Sequence, residues 1–93
     1  MRFLVVTRPR AGVEPARDIA PHAAAELATL ATLRASGLLV EAYSPGGPGA
    51  VLIFEGTRAE VDDALEALPL VREQLIESEV TPLTPFPGFG SDA

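Results

Sequence analysis

The sequence predicts an α+β domain whose six elements run β, α, β, β, α, β. Three observations carry this reading: a β-branched apolar run at the start, a glycine- and proline-rich loop joining two central strand-like segments, and two helix-forming stretches flanking that pair. Residues 2–7 (Arg2-Phe3-Leu4-Val5-Val6-Thr7) form the first strand, ended by Arg8-Pro9-Arg10 and Gly12. Phe3, Val5 and Thr7 point one way and Leu4 and Val6 the other, so both faces are apolar and both need cover.

Residues 9–18 hold two prolines, a glycine and four charges, which is loop chemistry. A helix is expected next, with Asp18 as a cap near its start, Pro21 in the first turn and an Ala/Leu run from Ala23 to Ala35. Ala23, Leu27, Leu30 and Ala31, with Leu33 beside them, form a stripe expected to pack on a sheet. Ser36-Gly37 ends the helix, the glycine supplying a left-handed residue.

Leu38–Ser44 alternates, with Leu38, Val40 and Ala42 against Leu39, Glu41 and Tyr43. Pro45-Gly46-Gly47-Pro48-Gly49 then turns the chain into Ala50–Glu55, a hairpin. Thr57 followed by Glu60 is a capping box opening a helix through Val61, Ala64, Leu65 and Leu68, which Pro69 stops; Leu70–Gln74 is compatible with a further helical turn. Leu75–Leu83 is the last strand, with Ile76, Ser78 and Val80 opposite Leu75, Glu77, Glu79 and Thr81. Pro85 and Pro87 follow Pro82, so residues 84–93 are expected as an extended tail outside the 1–83 domain, with Phe86 and Phe89 as apolar anchors.

This element order is that of the ferredoxin-like fold: a four-stranded antiparallel sheet with two helices on one face. The other face is left bare. A 93-residue domain has a thin core, and an apolar bare face is most simply covered by a second copy of the chain about a twofold axis.

Composition narrows the chemistry. With no Cys and a single His there is no thiolate nucleophile, no disulfide and no multi-histidine metal site within one chain, so no metal is expected. Thirteen acidic residues against seven Arg and no Lys give a net charge of −6, the wrong sign for a nucleic-acid partner. No stretch approaches about 18 apolar residues and no export signal opens the chain, so a cytoplasmic protein with no membrane partner is expected.

Leu65-Glu66-Ala67-Leu68-Pro69-Leu70, then Glu79-Val80-Thr81-Pro82-Leu83, together with the opening Phe3-Leu4-Val5, resemble the muconolactone isomerase family. The resemblance is specific over residues 65–83 and follows element order along nearly the whole chain. It implies a dimeric α+β barrel assembling into larger homo-oligomers, with a pocket between sheet, helices and a neighbouring subunit. The reaction implied is a proton shift in a small unsaturated lactone without metal or organic cofactor. The first helix departs from the family pattern: no Arg or Lys neighbours Glu26, and no Trp follows Gly37.

An allylic proton shift needs a base, a proton donor and stabilisation of the intervening enolate. His22 and Glu26, four apart on a helix, share a face and are candidates for base and orienter, against the alternative of a solvated first-turn pair. Tyr43 is a candidate donor or a packing residue at the dimer contact. Arg8 is a candidate contact for a substrate anion, and Glu41 a second substrate-facing group if it is buried. The alternative function is a non-catalytic small-molecule-binding or accessory protein on the same barrel, for which a pocket lined only by apolar side chains, with His22 in solvent, would speak. A cofactor-free monooxygenase-like barrel shares the fold but is disfavoured by the lack of Trp and the few polar pocket candidates.

Overall fold

The computed structural model describes residues 1–89. Strands β1 (Arg2–Pro9), β2 (Leu39–Tyr43), β3 (Ala50–Glu55) and β4 (Ile76–Leu83) form one antiparallel sheet in the order β2-β3-β1-β4. Helices α1 (Ala23–Ala35), α2 (Arg58–Ala67) and the single turn α3 (Pro69–Arg72) lie between them in sequence. This is the ferredoxin-like arrangement that the element order predicts. The expected tail begins after Leu83; its residues 90–93 lie outside the described residues.

The core lies between the sheet and α2. Phe3 and Val5 of β1, Leu52 and Phe54 of β3 and Leu39 of β2 meet Val61, Ala64 and Leu65 of α2, and Leu68 just after it, all buried. Cross-strand register sets this face: Phe3 lies opposite Phe54 and Val5 opposite both Leu52 and Val80. The other face presents half-buried Leu4, Val6, Val51 and Ile53. Ion pairs flank this apolar strip, Arg8 to Glu77 at 2.9 Å and Arg2 to Glu55 at 3.0 Å. The N-terminal ammonium also binds Glu55, at 2.8 Å, and with Arg2 holds its carboxyl below the usual glutamate range.

The capping box forms as its sequence predicts. Thr57 Oγ1 accepts the Glu60 N–H at 3.1 Å and Glu60 Oε1 accepts the Thr57 N–H at 2.8 Å. Gly37 takes the left-handed conformation at φ +87°. Pro82 is tolerated because β4 is an edge strand. After Leu83 the chain leaves the sheet, and the Phe89 N–H donates to the Phe86 carbonyl at 2.8 Å, closing a turn that leaves both rings exposed.

Four expectations need correction. Helical structure begins before residue 18: Pro15–Ile19 make a wide turn in which the Ala20 N–H reaches the Pro15 carbonyl, and Ala20–His22 make a 3₁₀ turn leading into α1. Pro15 opens the first turn and Pro21 is the second residue of the second, where a missing N–H costs no helical hydrogen bond, so proline here accompanies the start of helical structure instead of excluding it. Asp18 therefore sits inside a turn, where its Oδ2 accepts the Glu14 N–H at 2.8 Å and its two oxygens hold Arg17. The α1 stripe is only partly packed: Leu30 and Leu33 reach the core, whereas Leu27 is 68% exposed. Finally, Leu39 and Glu41 do not share a face. Leu39 pairs with Phe54 and Glu41 with the adjacent Ile53, so Val40 is an extra residue, a β-bulge that puts Leu39 in the core and Glu41 and Tyr43 on the open face.

The Leu70–Gln74 stretch resolves into α3 and its C-terminal cap. The Leu75 N–H donates to the Leu70 carbonyl and the Gln74 N–H to the Val71 carbonyl, at 2.9 and 3.0 Å, a Schellman motif with Gln74 at φ +58°. A side chain in that conformation carries strain that glycine avoids. Gln74→Gly is expected to raise stability by about 0.5–1 kcal/mol in urea unfolding; a loss of stability would show that the Gln74 side chain holds the turn by a contact of its own.

Candidate functional site

A cleft of about 530 Å³ opens between the approach to α1 and the end of β1. Thr7, Ala50 and Ile76 supply its sheet side, and Ala23, Leu27 and Leu30 its helix side. Pro15, Ala16, Ile19 and Ala20 come from the two turns before α1. Pro48 and Gly49, from the hairpin loop, and Leu70 complete it. The exposure of Leu27 is thereby explained: it lines an open cleft and not the core.

Gly49 fixes the loop at this cleft. It stands at φ +111°, and a Cβ built on it would collide with the Thr7 carbonyl oxygen. Only glycine lets the loop pass so close to β1. The neighbouring Ala50 N–H donates to Thr7 Oγ1 at 3.0 Å. Thr7 is buried, and among the described residues its own hydroxyl hydrogen has no acceptor, so this O–H is a donor available at the cleft.

Glu26 is the one charged group lining the cleft among the described residues. It lies on α1, one turn after His22, and is half-buried. Its Oε1 accepts the Leu70 N–H at 3.0 Å, satisfying a donor that the first turn of α3 leaves without a helical partner. Burial pushes the Glu26 pKa up from its ordinary 4.5, against the opposing pull of the Leu70 N–H and of the His22 charge. Oε2 has no hydrogen-bond partner among the described residues, leaving one oxygen anchored and one free to exchange a proton.

The remaining residues singled out from the sequence lie elsewhere. His22 is half-buried at the start of α1, is not among the cleft-lining residues, and makes no hydrogen bond to Glu26. Arg8 is held by Glu77. Glu41 and Tyr43, both exposed, stand opposite Ile53 and Val51 on the open face of the sheet. The fold thus brings Glu26 to the cleft with His22 nearby, and gathers Arg8, Glu41 and Tyr43 on the opposite side. Thr7 was missed. Its signal was a hydroxyl in phase with Phe3 and Val5 on the core-facing side of β1.

Among solved structures, the chain is similar to the 5-chloro-2-hydroxyhydroquinone dehydrochlorinase TftG of Burkholderia phenoliruptrix AC1100, determined in complex with 2,5-dihydroxybenzoquinone. The match has a TM-score of 0.74 at 23% identity and covers 94% of this chain and 97% of that one. The likeness is one of fold. No family model matches the chain, and no curated protein matches it in sequence. Among the described residues no helix is long and apolar enough to cross a membrane.

Proposed function

We propose that the chain is a cofactor-independent isomerase of the muconolactone isomerase type, shifting a proton within a small unsaturated ring compound. The observation that carries this is Glu26: a half-buried carboxylate in an apolar cleft, one oxygen fixed by the Leu70 N–H and the other free. In this mechanism Oε2 takes a proton from a carbon next to the ring carbonyl or conjugated with it. The C–H electron pair moves into the conjugated system to give a dienolate, and the Thr7 hydroxyl donates to its oxygen. The Glu26 carboxyl, open to exchange with water, then delivers a proton at another allylic carbon, so the product is an isomer of the substrate. The dehydrochlorinase of Burkholderia phenoliruptrix, named for its action on a hydroxyhydroquinone, supports small-ring chemistry on this fold.

Deuterium uptake from D₂O into a butenolide, followed by NMR, tests the reading; no uptake above the protein-free rate would overturn it. The apolar lining and the place of His22 outside it support a second reading, non-catalytic sequestration of a small ring, for which binding without exchange is the signature.

We further propose that a second copy covers the open face, meeting Leu4, Val6, Val51 and Ile53, with Arg8, Glu41 and Tyr43 at that contact. The apolar strip between charged flanks supports this. Light scattering of the wild type should give at least two chains per particle, and Ile53→Arg should reduce it to one. A monomeric wild type sinks the idea.

A further inference from the structure

We propose that the cleft selects uncharged, ring-sized carbonyl compounds and turns away their carboxylate counterparts. The inference rests on the catalytic reading of Glu26 and adds to it the charge of the substrate. None of the seven Arg, and not the single His, lines the cleft. Arg17 follows the cleft-lining Ala16 in sequence, but Asp18 holds it with two hydrogen bonds of 2.7 Å. Arg8 is similarly engaged by Glu77 on the other side of the sheet. A ligand carboxylate in the cleft would therefore give up water without gaining a cation, and would meet the Glu26 carboxylate across apolar surroundings. Both effects disfavour it.

An uncharged carbonyl compound meets neither obstacle. Its ring is matched by Leu27, Leu30 and Ile76, its carbonyl oxygen by the Thr7 hydroxyl, and its acidic C–H or hydroxyl by the free oxygen of Glu26. The two polar groups come from different elements, β1 and α1, so they contact a ring at two separate points and set its orientation.

The test compares a butenolide bearing an acetic acid side chain with the methyl ester of the same molecule, a pair differing chiefly in charge. Titration calorimetry at neutral pH should show the ester binding at least about tenfold tighter than the acid. In E26Q the acid should gain affinity and the ratio fall, because the repelling charge is gone while the cleft is kept. Equal or tighter binding of the acid by the wild type overturns the proposal. If proton exchange into the ester persists in that case, the catalytic reading survives it. Binding of neither compound overturns the proposal, and loss of exchange as well overturns both.

Discussion

Glu26→Gln is expected to lower proton exchange into a bound ring compound by at least about a hundredfold while leaving the fold at neutral pH as stable as the wild type or more so. The two halves of this result have one origin. Burial raises the pKa of Glu26, so the folded protein binds the Glu26 proton more tightly than the unfolded chain does. Stability from this group is then fully present below the ordinary value of 4.5 and is lost as pH rises through the raised value of the folded state. At neutral pH the ionised side chain is a cost to the fold. Glutamine keeps an acceptor for the Leu70 N–H without the charge, so the cost disappears together with the base. In the wild type, exchange should increase with pH to an inflection above 4.5, since the base must be ionised; E26Q should lose that inflection. A variant that unfolds more readily but exchanges at the wild-type rate would make Glu26 a structural cap for α3 and nothing more.

Gly49→Ala is expected to destabilise the fold by about 2–3 kcal/mol, lowering Tm by about 10–20 °C. Two penalties add: a Cβ at φ +111°, and its collision with the Thr7 carbonyl, which belongs to a central strand and cannot easily yield. Gly47→Ala in the same loop is the control. Its Cβ meets nothing within 4 Å and its φ is not positive, so a change within about 0.5 kcal/mol is expected in the same thermal melts. Equal effects of the two substitutions would show that the loop relaxes freely and that Gly49 does not pin it to β1.

What the sequence discloses and what it hides follow a physical division. Local chemistry reads directly: the Thr57–Glu60 box, the Gly37 stop, the hairpin loop and the alternation of Phe3, Leu4, Val5 and Val6 each depend on residues close in the chain, and each forms. Helical periodicity found an apolar stripe on α1, but the period is the same whether Leu27 lines a core or an open cleft. The spacing of His22 and Glu26 put them on one helix; the bond that sets the role of Glu26 comes from Leu70, 44 positions away. Arg8 looked available because its partner Glu77 lies on a strand that only the sheet brings beside it. Thr7 was passed over because one hydroxyl among β-branched residues does not interrupt a strand pattern.

The bulge at Val40 makes strand β2 a switch of address. Were β2 paired regularly through Val40, with no bulge, the chain from Glu41 onward would slip one place against β3, and the pleat would turn Glu41 and Tyr43 under the helices while sending Ala42 outward. One irregular pairing step thus decides whether a carboxylate and a phenol sit in the interior or outside it. Related chains of this architecture should therefore be compared across β2 by their partners on β3, Phe54, Ile53 and Val51, because counting residues along the strand would match side chains that live on opposite surfaces of the sheet.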